Sequence, residues 1–303
     1  MCKKTVSLVL SSGGARGMAH IGAIEALEER GYQIVSIAGS SAGALIGGMY
    51  AAGQMPVFKD WICNLDRIDV FSLMDFTLSS KGFIKGIKVF NALKNIISDC
   101  DIEALEVPFV CTAVEIPSGK EHVFRSGSLY AAIRASVSIP TVLMPAKIQG
   151  VEYIDGGILN PIPFNLLEEL PRGELTIAVD LNGPKEVLVE PPVLVEKKES
   201  SLLKMPLWLT EYREKFSVYF STEEKAKVKG MSSLDLLNYS FDMLQDKLSA
   251  LVIEKQQIDV LVEISRTQAG TLEFHRASEM IAIGKSKMEQ ALDAFENGHQ
   301  PVK

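Results

Sequence analysis

Short apolar runs that end in glycine alternate with segments of helical periodicity over the first fifty residues of the chain. Residues 6–10 form an apolar run that predicts a buried strand, and residues 34–38 predict a second one. Between them, residues 18–30 repeat apolar side chains at helical spacing, and residues 42–52 predict a helix built from small and apolar residues. Strand, helix, strand, helix is the order that produces a parallel sheet with right-handed crossovers.

The same alternation continues along the rest of the chain. Further strands are predicted over residues 109–116, 122–125, 147–148, 151–154, 175–181 and 258–264, and further helices over residues 129–135, 232–255 and 271–294. We therefore expect a single α/β domain with residues 1–182 as its catalytic core, residues 183–255 as a connector and helical insertion, and residues 256–303 returning to the core as a strand and a helix.

Composition narrows the class of protein. With 303 residues the chain can bury a large core, and its formal net charge of -7 argues against a general nucleic-acid binder. The cysteines are scattered, which is typical of free thiols in a reducing compartment and predicts no metal site. They are Cys2, Cys63, Cys100 and Cys111.

The N-terminus resembles a signal peptide only briefly. Its apolar run is too short for such a segment, has no cleavage site and stops at Ser11-Ser12-Gly13-Gly14. No stretch approaches the roughly 20 apolar residues of a membrane span. We expect a cytoplasmic protein, with peripheral contact at a membrane left open.

Ser41 stands between the second predicted strand and the helix after it, in the segment Gly39-Ser40-Ser41-Ala42-Gly43. This spacing in a strand–turn–helix context is typical of the nucleophile elbow, a sharp turn that exposes the serine hydroxyl. Gly39 and Gly43 supply the small residues that such a turn needs, and the helix directs the positive end of its dipole at the serine. The alternative is an ordinary tight turn before a packing helix.

A second glycine-rich segment, Ser12-Gly13-Gly14-Ala15-Arg16-Gly17, follows the first predicted strand. Consecutive glycines let backbone N–H groups converge on an anion, which is either a phosphate or a developing oxyanion. A dinucleotide-binding loop would have glycine at its first position and an acidic residue at the end of the second strand. The chain has Ser12 and no such carboxylate, so the pattern favours the oxyanion.

A nucleophilic serine needs a base, and histidine is the first residue to consider. The chain has His20, His122, His275 and His299. The α/β-hydrolase order would place the histidine after an acidic residue that itself follows the serine. His275 and His299 lie at the start of a predicted helix and in the polar tail, and His20 is expected to pack or cap the first helix. A histidine triad is therefore the less supported alternative.

Asp155 has a better context for a base. It follows a β-type run and precedes Gly156 and Gly157, whose missing side chains let other groups approach the carboxylate. Burial raises the pKa of such a carboxyl group and makes direct proton transfer from a serine hydroxyl feasible. The alternative is a hairpin turn in which Asp155 caps a backbone N–H.

Together, the segments 12–17, 39–43 and 155–157 resemble the three signature blocks of the patatin-like phospholipases, in the order found in that family. The resemblance covers roughly residues 5–182, together with the late strand and the final helix. Further matching segments are residues 18–22, 135–140 and 160–163.

The resemblance implies a three-layer α/β/α sandwich around a mostly parallel sheet, with a helical insertion near residues 185–255. It also implies a dyad without histidine, in which Ser41 is the nucleophile and Asp155 the general base, and no metal or cofactor. The implied oxyanion hole consists of the backbone amides of Gly13, Gly14, Ala15 and Arg16. One position departs from the family, which usually has glycine where this chain has Ser12; Gly13 and Gly14 retain the expected donors.

The implied substrate is a lipid or another acyl ester. Residues 202–220 are rich in large apolar and aromatic side chains beside lysine and arginine, so we expect either a lid with transient membrane contact or a helix packed on the core or on a second subunit. Two other classes of function remain as alternatives. One is a non-catalytic regulatory or scaffold protein on the same fold, and the other is a nucleotide-binding protein.

Overall fold

The computed structural model describes residues 4–79, 82–184 and 233–298. The strands are β1 (Thr5–Leu10), β2 (Gln33–Ser40), β3 (Phe76–Ser79), β4 (Gly82–Ile84), β5 (Phe109–Glu115), β6 (Lys120–Phe124), β7 (Thr141–Leu143), β8 (Ala146–Ile148), β9 (Val151–Asp155), β10 (Leu175–Gly183) and β11 (Val260–Ser265). The α-helices are α1 (Met18–Glu29), α2 (Ala42–Ala51), α3 (Met55–Cys63), α4 (Arg67–Leu73), α5 (Ile87–Ile96), α6 (Leu129–Ser136), α7 (Ser233–Lys255) and α8 (Ala277–Glu296).

The main sheet has the strand order β11-β10-β1-β2-β5-β9-β8, with β6 paired to β5. Strands β11, β10, β1, β2 and β5 run parallel to one another, whereas β9 is antiparallel to β5 and β8 is antiparallel to β9. The sheet is thus mostly parallel, as the alternation of strands and helices predicts.

Both faces of this sheet are covered, which explains why β1 is buried along nearly its whole length. Leu8 and Leu10 point into the larger core, which includes side chains of α1, α2 and α8. Val9 points to the opposite face, where the 3₁₀ helix Phe164–Glu169 and α7 pack against the sheet. The predicted three-layer α/β/α sandwich is therefore confirmed.

Helix α8 packs directly on α1 through two glycines. A Cβ atom on Gly22 would lie 1.9 Å from the carbonyl oxygen of Ile281, and a Cβ on Gly284 would lie 1.9 Å from that of Ala19. Only glycine allows two helix backbones to come this close. Strand β11 pairs with β10. The last strand and the last helix of the chain, β11 and α8, thus both pack against elements that come earlier in the sequence. The division of the chain into core, insertion and return stays a prediction.

A second, smaller sheet with the order β3-β4-β7 has no counterpart in the predictions. Its strands β3 and β4 belong with α3, α4 and α5 to residues 54–107, a part of the chain for which the pattern predicts no element, whereas β7 follows α6. Several of these elements have only three to seven residues, which is too short for a period to be recognised. This part of the chain supplies half of the residues that line the cavity described below.

Of the predicted insertion, α7 is described, while the segment 202–220 lies outside the described residues. Its predicted lid, membrane or subunit contact therefore stays a prediction. No helix in the described ranges combines the length and the apolarity needed to cross a membrane.

Candidate active site

Ser41 occupies the sharp turn between β2 and α2. Its backbone has φ 52° and ψ −115°, a left-handed conformation that non-glycine residues rarely adopt. The N–H of Ser41 donates to Ser136 Oγ at 2.9 Å, a contact with α6 that holds the turn. The side chain is 2% exposed.

The glycines on either side of Ser41 are required by close backbone contacts. A Cβ on Gly39 would lie 2.6 Å from the carbonyl oxygen of Gly43, and a Cβ on Gly43 would lie 2.1 Å from the carbonyl oxygen of Leu10. The N–H of Gly43 donates to the carbonyl of Ser11 at 3.2 Å, so the start of α2 is fixed against the end of β1. The strand–turn–helix geometry is that of a nucleophile elbow.

The register of the sheet brings Asp155 to Ser41. Ser40 pairs with Thr112 on one side of β5, and Asp155 pairs with Ala113, the next residue, on the other side. The ends of β2 and β9, which are far apart in the sequence, therefore lie next to each other across β5.

The two side chains are hydrogen-bonded directly. Ser41 Oγ donates to Asp155 Oδ2 at 2.5 Å, and the N–H of Gly157 donates to Asp155 Oδ1 at 2.7 Å. Asp155 is 2% exposed and the last residue of β9, where it also caps the 3₁₀ helix Gly156–Ile158. The capping role considered as an alternative is thus present together with the serine contact.

Burial raises the pKa of Asp155 from 3.8 to about 7, against the hydrogen bonds from Ser41 and Gly157, which favour the charged form. A carboxyl group with this pKa is a much stronger base than an ordinary aspartate and is still ionised in part near neutral pH. These are the properties expected of a general base for a serine hydroxyl.

Histidine takes no part in the contacts of Ser41. His20 is fully buried, its Nε2 lies 3.0 Å from the carbonyl oxygen of Ser11, and burial lowers its pKa to about 4. His122 packs against Phe124 and Tyr153, while His275 accepts a hydrogen bond from an arginine, and His299 lies outside the described residues. In the ranges that the structure describes, no histidine is hydrogen-bonded to Ser41 or Asp155.

The glycine-rich segment turns into a 3₁₀ helix, Gly14–Gly17, directly before α1. The N–H of Ala15 donates to the carbonyl of Thr271 at 2.9 Å, so this amide already has an acceptor. In the described part of the chain no acceptor is found for the N–H of Gly13, and Gly14, as the first residue of the 3₁₀ helix, has no partner for its N–H within that helix.

The side chain of Arg16 has a structural role. Its Nε donates to the carbonyl of Leu181 at 3.1 Å and its Nη1 to that of Ala269 at 2.9 Å, and the residue is 5% exposed. Burial lowers the pKa of Arg16 to about 10, with Asp180 among the carboxylates that oppose the shift. Arg16 and Ala15 together tie the glycine-rich loop to the segment after β11.

An apolar cavity begins at Ser41 and Gly14. Its volume is about 140 Å³, and half of its lining residues lie between residues 54 and 107, where the pattern predicts no element. The remaining lining residues are Ala42, Leu45, Phe58, Trp61, Ile62, Leu65, Val70, Leu73, Met74, Ile84, Val89, Phe90, Leu93, Val137, Ile139, Val142, Leu143, Thr271, Leu272 and Phe274. Such a lining suits a hydrocarbon chain, because it offers burial of apolar surface and almost no hydrogen-bonding groups.

The family model of the patatin-like phospholipases matches residues 8–167, which contain the elbow, the glycine-rich loop and Asp155. The chain belongs to this family. Membership supports lipid hydrolysis as its class of activity.

Curated relatives agree with this assignment. An uncharacterized NTE family protein of Mycobacterium tuberculosis is 36% identical, with the alignment covering 96% of this chain and 92% of that protein. Lysophospholipase NTE1 of Pyricularia oryzae is 31% identical over 60% of this chain, which corresponds to 12% of that much longer protein.

Among solved structures, VipD from Legionella pneumophila superposes with a TM-score of 0.51. The superposition covers 98% of this chain and 67% of that one at 14% sequence identity. At this identity the likeness concerns the patatin-like fold alone.

Proposed function

We propose that this patatin-like phospholipase is a serine acyl hydrolase that cleaves lipid acyl esters with Ser41 as nucleophile and Asp155 as general base and acid. The observation that carries the proposal is the hydrogen bond from Ser41 Oγ to Asp155 Oδ2 at the end of an apolar cavity. A serine held in a strained turn beside a carboxyl group of raised pKa is what such chemistry needs, whereas a scaffold protein gains nothing from it.

In the first half of the reaction, Ser41 Oγ attacks the carbonyl carbon of the ester while its proton passes to Asp155 Oδ2. The negative charge that develops on the carbonyl oxygen is stabilised by the N–H groups of Gly13 and Gly14, neither of which has a protein acceptor within the described residues. Asp155 then gives its proton to the leaving alkoxide, and the acyl group remains on Ser41.

In the second half, Asp155 accepts a proton from a water molecule, and the resulting hydroxide attacks the carbonyl carbon of the acyl-enzyme. The bond to Ser41 Oγ breaks, the proton returns from Asp155 to Ser41, and the free acid leaves. No step requires a histidine, because Asp155 accepts and returns the proton in both halves of the cycle.

We place the acyl chain of the substrate in the apolar cavity, with its carbonyl between Ser41 and Gly14. The names of the fungal relatives make a lysophospholipid, which carries a single acyl chain, the first substrate to test. Head group and chain length are matters for experiment.

Labelling with a fluorophosphonate probe tests the proposal, because the probe phosphonylates an activated serine. We expect a single adduct on the peptide that contains Ser41, and its loss in the variants Ser41→Ala and Asp155→Asn. Ser40→Ala is the matched control: its Oγ is buried next to the nucleophile and has no hydrogen-bond partner among the described residues, so labelling should persist. An adduct on another serine, or none between pH 6 and about 9, would contradict the assignment.

A further inference from the structure

Gln245 is a buried polar residue on α7. It is 7% exposed, whereas Met243 and Leu244 beside it are 55% and 64% exposed. An amide side chain directed toward the core while apolar side chains face solvent is the reverse of the usual arrangement. Since a buried amide is tolerated only with hydrogen-bond partners, those partners indicate its role.

The partners of Gln245 belong to two of the three signature segments. Its Nε2 donates to the carbonyl oxygen of Gly157 at 2.9 Å and lies 3.5 Å from Ser12 Oγ. Only the nitrogen of the amide can donate to a carbonyl, so these contacts fix the orientation of the side chain.

Both the N–H and the carbonyl group of Gly157 are thereby hydrogen-bonded to side chains. Its N–H donates to Asp155 Oδ1 at 2.7 Å, while its carbonyl accepts from Gln245. A shift of Gly157 would carry its N–H away from the carboxylate that we assign as the base.

Ser12, the position that departs from the family pattern, packs against both Gly157 and Gln245. A Cβ on Gly157 would lie 2.8 Å from both Ser12 Cβ and Gln245 Nε2. The main-chain carbonyl of Ser12 also accepts a hydrogen bond from Asn182 Nδ2 at 3.1 Å. The serine side chain therefore fills the space that a glycine at this position would leave beside Gly157 and Gln245.

Helix α7 is itself anchored on both sides of Gln245. Arg266, the residue after β11, donates to Asp242 at 2.8 Å and also to Asp246, and its side chain is 10% exposed. The two carboxylates are 45% and 44% exposed, so these ion pairs contribute little to stability, but they join α7 to the residue after β11 on both sides of Gln245.

We propose that Gln245 is a positioning residue of the hydrolase: it holds Gly157 so that its N–H stays on Asp155, and through Ser12 it connects the oxyanion loop to the same point. Helix α7 is by this means coupled to the catalytic dyad although it supplies no group to the reaction. The inference rests on the function proposed above.

Gln245→Met tests it, because methionine keeps the length and volume of the side chain and removes the donor. We expect kcat for a short-chain ester, and the rate of fluorophosphonate labelling at Ser41, to fall about 10- to 100-fold. KM should stay unchanged, since Gln245 does not line the cavity. Ser249→Ala is the matched control: Ser249 is 2% exposed on the same helix, four residues further on, and its Oγ has no hydrogen-bond partner in the described ranges.

Hydrogen exchange at the Gly157 amide provides a readout independent of turnover. Faster exchange in Gln245→Met than in the Ser249→Ala control, together with the lower kcat, would support the proposal. Unchanged exchange and unchanged labelling would overturn it while leaving the hydrolase assignment intact, whereas a wild-type protein that is not labelled at Ser41 would overturn both. If Gln245→Met does not fold, Gln245→Leu replaces it, since a leucine side chain likewise cannot donate to the Gly157 carbonyl, and the same outcomes apply.

Discussion

Replacement of Asp155 by asparagine should remove the activity and at the same time stabilise the fold at neutral and alkaline pH. The asparagine can keep both contacts, with Oδ1 accepting from Gly157 and Nδ2 donating to a reoriented Ser41 hydroxyl. The variant therefore differs from the wild type mainly in lacking a buried group that must ionise.

The magnitude follows from the pKa of Asp155, which burial raises from 3.8 to about 7. Because the folded protein holds this proton more tightly than the unfolded chain does, Asp155 destabilises the fold progressively as the pH rises through the window from about 4 to about 7. About three pKa units at roughly 1.4 kcal/mol each correspond to ~4 kcal/mol above pH 7. Near pH 5 the expected difference between the two proteins is ~2 kcal/mol, and below pH 4 it vanishes.

Urea denaturation of both proteins between pH 4 and 9 measures this difference, because all other titrating groups are common to the pair and cancel. The free energy of unfolding of Asp155→Asn minus that of the wild type should rise by ~1.4 kcal/mol per pH unit and then level off above pH 7. A difference that does not vary with pH would refute the reasoning, since Asp155 would then titrate alike in the folded and unfolded states.

Three further predictions concern the same site. The wild-type kcat/KM should rise with pH along a limb centred near 7, because Asp155 must be ionised to accept the serine proton; a midpoint near 4 would contradict this. Gly43→Ala should lower the free energy of unfolding by ~3 kcal/mol and abolish labelling, because the new Cβ would lie 2.1 Å from the Leu10 carbonyl; wild-type values in urea denaturation and labelling would contradict it. Val89→Phe should fill part of the cavity and reduce kcat/KM for long-chain relative to short-chain esters about 10-fold. Ile87→Phe, on the exposed side of α5, should leave this ratio of kcat/KM values unchanged, and the same ratio in both variants would exclude this cavity as the acyl site.

The elements next to Ser41 could be predicted because their signals are local. An apolar strand, two glycines and a small-residue helix lie within twenty residues, and their predicted boundaries agree with β2 and α2 to within two residues. The direct contact between Ser41 and Asp155, in contrast, depends on register across β5, which the sequence pattern suggests only through the resemblance to a family.

The groups that support the dyad carry little signal in the sequence. Thr271 acts through a main-chain carbonyl, which any residue has, and Ser136 ends a helix like many other serines. Gln245 is one of several polar residues in its helix, and no pattern in the sequence marks it as a partner of Gly157. Half of the residues that line the cavity lie between residues 54 and 107, where the pattern predicts no element. The final helix begins at Ala277, six residues later than predicted, because a 3₁₀ turn, Phe274–Arg276, precedes it.

The Ala15 amide donates to the Thr271 carbonyl, and α8 packs on α1. The residues around the site are therefore in contact with residues more than 200 positions away in the sequence, which is a high contact order. During synthesis the ribosome releases Ser41 and Asp155 long before the residues that fix the glycine-rich loop have been made. A nascent chain therefore carries the two side chains of the proposed dyad before the loop that we assign to the oxyanion is held in place. The proposed site is complete only after the last part of the chain has been made and has folded onto the first.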